Sequence, residues 1–214
     1  MPQIEFGKEL SFSQNMFASL KDKNELMVIR LLDAPVYEGK HFLKTEFGEW
    51  NVIPCPRINA EAECETCEAY FGLMKEAVKS KEKDKEKYER VKKEAEKFKV
   101  TVNFYFPIID RGSETLKIFK TTPGVRNKLN AKHEAGVKVF ERDWTIMRTE
   151  NPGSDYYTVD AVDSADSKKL TPKEKAEMEK YKKMNLNDYI MGTRDDESEI
   201  GIEANTVKVD EPDL

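Results

Sequence analysis

All three cysteines of this chain fall within thirteen residues, and one of its two histidines lies just upstream, in the pattern His41-x13-Cys55-x8-Cys64-x2-Cys67. No other feature constrains the fold as strongly. A Cys-x2-Cys pair puts two sulfurs on one tight turn, where both can reach one ion. Cys55 and His41 complete a tetrahedral set of three sulfurs and one nitrogen, which suits zinc far better than hard cations. Four protein ligands leave no open position for water, so one structural Zn2+ is expected rather than a catalytic centre. The competing reading is a disulfide or three unrelated thiols. The odd cysteine count argues against a secreted disulfide scaffold. So does the N-terminus, MPQIEFGKELSFSQN, which lacks a basic segment followed by an apolar stretch.

The chain is polar for a globular protein, with 38% hydrophobic and 36% charged residues, which predicts solvated helix or disordered tail. No apolar run approaches the roughly 18 residues a membrane helix needs. The expectation is a protein with no membrane partner, in a reducing cytoplasm. The net charge of −5 is unevenly spread: residues 185–214 hold nine acids and two bases, a net of −7, which leaves +2 on the remainder. A near-neutral or basic body with an acidic tail is common in proteins that hold nucleic acid and also meet protein partners. The plainer alternative is a solubilising tail.

Periodicity divides the chain into an arm at 1–25, a core at 26–165 with the metal loop at about 41–70, a C-terminal helix at 166–192, and an acidic tail at 193–214 that reads as disordered. Leu26 to Leu32 has strand character, and residues 36–53 alternate as a hairpin around His41. A helical stripe starts near Glu65 and runs into a long, almost wholly charged helix that ends near Lys97. Lys99 to Ile109 is the strongest strand, with Val100, Val102, Phe104 and Phe106 on a core face and Lys99, Thr101, Asn103 and Tyr105 on the other. Thr115 to Lys120 is predicted to bury Leu116 and Ile118 and to present Lys117 and Phe119. Thr122-Pro123 opens a short helix that ends at Gly136, and strands at 144–147 and 156–162 follow. Thr171-Pro172 starts the last helix, with Gly192 as its stop. The fold class expected is mainly β with helices (α+β): an OB-type five-stranded Greek-key barrel with an inserted zinc subdomain and a long charged helix.

The 11 Phe, 8 Tyr and 2 Trp are a notable share for so charged a sequence, and several stand beside bases, as in Phe98-Lys99 and Phe119-Lys120. Single-stranded nucleic acid is held in this way, with cations on phosphates and flat side chains on unpaired bases. Tyr105, Phe119, Tyr156 and Tyr157 fall on predicted solvent faces or loops, so stacking is the role expected of them; Trp50 and Trp144 suit core or cleft equally. Catalysis finds little support: there is no phosphate-cradling glycine loop, nucleophile elbow or HExxH. His133, in a polar helix, reads as a surface residue. Asp110 with Glu114, or Asp160 with Asp163, could be drawn as nuclease carboxylates, but acids near turns usually serve the turn.

From His41 to about Val162 the chain resembles the zinc-containing single-stranded DNA-binding proteins of T-even bacteriophages and their relatives. The resemblance rests on His41, Trp50, Cys55, Cys64 and Cys67. It continues through KYERVKKEAEKFKVTVNFYF, LKIFKTTPGVRNKL and GSDYYTVDAV. It implies an OB-type barrel, with the zinc subdomain as the other wall of a DNA cleft. It places Trp50, Tyr88, Lys92, Lys93, Phe98, Phe119, Lys120, Tyr156 and Tyr157 at that cleft, where Lys99, Tyr105 and Lys117 join them from the strand pattern. It also implies a non-enzymatic role in phage DNA replication, recombination and repair in the bacterial host cytoplasm. The acidic tail would recruit replication or recombination proteins. One departure stands out: the family's N-terminal arm is basic, whereas residues 1–20 hold Lys8 as their only base. Two other classes fit parts of the pattern: a zinc-stabilised transcription or assembly factor acting through protein contacts, and a metal-dependent nuclease.

Overall fold

The computed structural model describes residues 16–20, 22–150, 156–163, 167 and 169–190. The expected features of residues 1–15, the turn at 151–155 and the acidic tail at 193–214 lie outside the described residues. The elements, in order, are β1 (Phe17–Ala18), β2 (Leu26–Leu31), β3 (Val36–Lys44), β4 (Trp50–Pro54), α1 (Pro56–Ala60), α2 (Glu65–Ser80), α3 (Lys85–Glu96), β5 (Val100–Asp110), β6 (Thr115–Thr121), α4 (Pro123–Glu134), β7 (Asp143–Arg148), β8 (Tyr157–Ala161) and α5 (Pro172–Lys182). Residues 186–190 add a last helical turn. The fold is α+β, as the sequence predicts.

β5 organises the sheet. Along one edge it pairs with β6; along the other it pairs first with β3, from Val100 to Tyr105, and then with β2, from Ile108 to Asp110. The change of neighbour falls at Phe106-Pro107. Pro107 has no N–H, and its carbonyl accepts from Leu32 at 3.0 Å on that edge, so no donor is stranded where β2 hands over to β3. The sheet path runs β1-β6-β5-β2-β7-β8, with the β3–β4 hairpin attached at β5. β1 pairs with β6 in parallel.

Among the described residues the six-strand path does not close between β1 and β8, and with the β3–β4 hairpin the sheet has eight strands where the sequence suggests a five-stranded barrel. It curls nonetheless: Ala18 of β1 and Val159 of β8 pack into one core with Ile29, Phe106, Phe119 and Trp144. Trp144 is fully buried, and its indole N–H donates to the Val139 carbonyl at 2.8 Å.

The single long charged helix expected between Glu65 and Lys97 is instead two helices. Residues 81–84 break it, and the Asp84 side chain caps α3 by accepting from the Lys87 N–H at 2.9 Å. The short break folds α3 back along α2, where Lys87 pairs with Glu76 at 3.2 Å. A charged run carries no packing signal that locates such a break. The C-terminal helix also stops early, at Lys182 rather than near 191. Its start is as read: Thr171 and Glu174 form a capping box behind Pro172.

A buried charge network holds α5 to the sheet. Asp143 accepts from Arg30 at 2.7 Å and pairs with Arg111 at 3.3 Å, and Arg111 reaches Glu174 at 2.5 Å. Residues 181–190 then lie over the outer face of β5 and β6, where Leu186 and Ile190 pack against Tyr105 and Ile118.

Candidate metal centre and nucleic-acid interface

The four predicted ligands converge. His41 lies in β3; Cys55 ends the hairpin and caps α1; Cys64 caps α2, and Cys67 lies in its first turn. All four are buried, and their ligand atoms lie within 4.8 Å of one another. Cys55 Sγ is 3.9 Å from Cys64 Sγ and 3.5 Å from Cys67 Sγ; His41 Nε2 is 3.4 and 3.6 Å from Cys64 and Cys67. Zinc bond lengths in a regular tetrahedron require about 3.8 Å between sulfurs and about 3.6 Å from sulfur to nitrogen. A disulfide would require about 2.05 Å, and all three cysteines are free. The donor set therefore fits a bound metal, and among the described residues it is the one such cluster.

The surroundings orient the ligands. His41 Nδ1 lies 3.0 Å from the Phe98 carbonyl, which makes Nδ1 the protonated nitrogen and turns the Nε2 lone pair toward the sulfurs. Burial, then the neighbouring sulfurs, push the Cys67 thiol up to about 12. Burial opposes charge on Cys64 too, but hydrogen bonds from Cys67 and Thr66 outweigh it and lower that thiol. A dication supplies the charge three buried thiolates need.

Gly39 docks α1 beside the centre. Its N–H donates to Asn59 Oδ1 at 2.7 Å, and its carbonyl accepts from Asn59 Nδ2 at 3.0 Å and from the Cys55 N–H at 2.8 Å. A Cβ at Gly39 would lie 2.6 Å from Ile58 Cβ, so only glycine permits this approach.

Next to this docked helix lies an open groove of about 740 Å³, walled by Ile58 of α1, by Tyr37, Val102 and Phe104 of the sheet, and by α4. Tyr37 and Phe140 are 49% and 43% exposed there. The Tyr37 and Phe104 rings lie 6.1 Å apart, and the Arg126 guanidinium sits 6.0 Å over Phe104. His133 stands on the rim.

None of the twelve predicted nucleic-acid residues lines this groove. Two are not solvent-facing as predicted. Phe119 is fully buried because its register partner is Phe106, which puts it on the core face of the sheet. Tyr105 is 5% exposed because residues 181–190 cover it, and its hydroxyl donates to Glu38 at 2.9 Å. Lys117 shares the Phe119 face and bonds Asp110 at 2.7 Å, while Lys120 is exposed with its ammonium 5.9 Å over the Tyr105 ring. Trp50 is 66% exposed on the hairpin. Tyr88, Lys92 and Lys93 lie on α3, with Lys92 5.8 Å over Tyr88, and Phe98 and Lys99 join α3 to β5. Tyr156 and Tyr157 form an edge-to-face pair at 4.7 Å beside α4, under Arg148 and held by Lys128, which donates to the Tyr157 carbonyl.

Asp110 serves its turn, accepting from Gly112, Ser113 and Lys117. Sequence reasoning missed Tyr37, Arg126 and Phe140. The alternation after Pro35 signals Tyr37; nothing local signals the other two. No helix among the described residues is long and apolar enough to cross a membrane. Comparisons with family models, curated proteins and solved structures find no match for the chain.

Proposed function

We propose that this is a sequence-independent single-stranded DNA-binding protein. The observation that carries the reading is the groove: exposed rings, a cation over one of them, and a wall fixed by a metal-ready centre. Bases stack on Tyr37, Phe104 and Phe140, and Arg126 meets a phosphate. The ion is Zn2+, and residues of the hairpin, α1 and α2 form the zinc subdomain. The curled sheet is an opened OB-type barrel, a reading supported by the central strand that changes neighbours at Pro107. The resemblance in motif order supports a phage replication and recombination role in a bacterial cytoplasm, without catalysis, and with the acidic tail as the contact for partner proteins.

The test is titration with oligo-thymidine and with duplex across a salt series. Single-strand binding should fall with salt with a log–log slope near −0.7 for each phosphate neutralised, and duplex should bind far more weakly. Tyr37→Ala should weaken single-strand binding by about 1–3 kcal/mol, the worth of one stacked base. Failure to bind single strands at low salt would move the function to protein contacts at the same groove. Cleavage of the strand would move it to a nuclease.

A further inference from the structure

The tip of the β3–β4 hairpin is a fixed knob. The Gly48 N–H donates to the Thr45 carbonyl at 3.0 Å, the Thr45 N–H to the Glu49 carbonyl at 2.7 Å, and the Glu49 N–H to the Thr45 hydroxyl at 3.1 Å. Gly48 closes the turn in the left-handed conformation, with φ 85°. This tip holds Phe47 92% exposed, more than any other large apolar side chain among the described residues. Turn tips ordinarily carry small polar residues. A phenyl ring on a turn already ordered can be buried by a partner at little further conformational cost. Glu46 and Glu49 flank it, both exposed and in no ion pair among the described residues, and no base lies between Thr45 and Glu49. Two carboxylates repel phosphate, so the tip does not suit nucleic acid.

The groove between α1, the sheet and α4 complements this tip. Ile58, Phe104, Leu129 and Phe140 stand in its walls, and no acid lines it. Arg126 carries its charge: the guanidinium is exposed, donates to the Asn127 side chain at 3.3 Å, and pairs with no carboxylate among the described residues. A chain cannot fill its own groove. Tyr37, in the groove, and Lys44, below the tip, stand at opposite ends of β3, about 23 Å apart at roughly 3.3 Å per residue. Pairing with β5 from Val36 to His41 keeps that strand extended. We infer that Phe47 docks in this groove on a second copy of the chain, with Glu46 and Glu49 meeting Arg126. The two surfaces differ, so the contact is head-to-tail, and it either closes as a reciprocal pair or continues as a chain. One ring and two charges make an interface well below the roughly 1,200 Å² of stable complexes, so the association is weak and exchangeable. Docking needs only the shape and charge of the groove. Where single-stranded DNA binds there, the two occupants exclude each other and the strand separates the copies.

Sedimentation velocity of the full-length protein from about 5 to about 500 µM, a range that spans weak association, tests this. The mean mass should rise with concentration. Phe47→Ser and Arg126→Glu should each weaken association about tenfold or more, as expected for an anchor residue and its charge partner. Both positions are exposed, and an unchanged melting temperature confirms the fold. Mixed in equal amounts, the two variants hold one intact groove and one intact tip between them, and should regain a complex that stops at two chains. A mass independent of concentration, or an association that Phe47→Ser leaves intact, would overturn the docking. So would a mixture no heavier than its separate components. An oligo-thymidine of about 10 nucleotides, within the span of one OB-type site, is then added to the unmodified protein. Separation into single chains supports a shared groove, whereas a bound strand with the association intact would overturn it. Association through Phe47 in a protein that binds no single strand would leave the docking standing and overturn the single-strand reading instead.

Discussion

Gly39→Ala tests the contact that joins the metal centre to the groove. The added methyl would stand 2.6, 2.8 and 2.9 Å from three carbons of Ile58, so α1 must retreat by about 1 Å to reach ordinary carbon–carbon separation. Such overpacking costs about 1–3 kcal/mol. The retreat also strains the paired Asn59 hydrogen bonds, and losing one adds about 0.5–1.5 kcal/mol. Against this, replacing glycine restricts the unfolded chain and returns about 0.4–1 kcal/mol. The net is a destabilisation centred at about 2 kcal/mol, within about 0.5–4, and about 2 kcal/mol lowers Tm by roughly 4–8 °C for a chain of this size.

Because α1 follows Cys55 directly, zinc affinity should fall as well. Calorimetry of the zinc-loaded protein and competition with a chromophoric chelator read the two effects. Ile58→Gly in the Gly39→Ala background removes the clashing Cβ together with both γ carbons, so the two substitutions should cost less together than the sum of each alone. A Gly39→Ala protein that melts within about 1 °C of the unmodified one, well short of the expected drop, would refute the close-approach argument. So would strict additivity of Gly39→Ala and Ile58→Gly.

Cys64→Ala should abolish stoichiometric zinc and lower the melting temperature, since metal binding and folding are coupled; elemental analysis finding no zinc in the unmodified protein would remove the metal from the account. Arg111→Met leaves Glu174 and Asp143 short of a buried partner and should cost about 3–5 kcal/mol, read by denaturant unfolding, whereas Arg111→Met with Glu174→Gln should recover most of it. At Asp110, burial disfavours the charge, but Lys117, Ser113 and the Gly112 N–H outweigh it and hold the carboxyl below the usual carboxylate range. A depressed carboxyl contributes stability above its unfolded pKa of about 3.9 and loses it as pH falls through the lower folded value. Lys117→Met should therefore be less stable than the unmodified protein at neutral pH, with the gap narrowing below about pH 4; a gap independent of pH would count against that ion pair.

The four-residue donor cluster was legible in the sequence because its signal is local: two sulfurs with two residues between them, and a chemistry that few other donor sets share. Strand and helix starts were legible for the same reason. Alternation along β5, Pro123 behind Thr122 and the Thr171–Glu174 box each act within a few residues of chain. Which face of β6 meets the core was not, because Leu116 and Ile118 alternate with Lys117 and Phe119 and both faces carry apolar side chains. Only the register with β5, which sets Phe119 against Phe106, assigns the central core. Burial of Tyr105 depended on residues 181–190, some eighty positions away.

The break at 81–84 lies in a run of charge with no apolar period to interrupt. The groove depended on distance in the same way. Tyr37, Ile58, Phe104, Arg126 and Phe140 come from separate elements, and their approach rests on a glycine at 39 that lets α1 dock. Sequence by itself determined the donor chemistry and the local elements, since those follow from neighbours along the chain. Tertiary structure alone decided which aromatics remain open to solvent, since exposure is set by whatever distant segment packs above them.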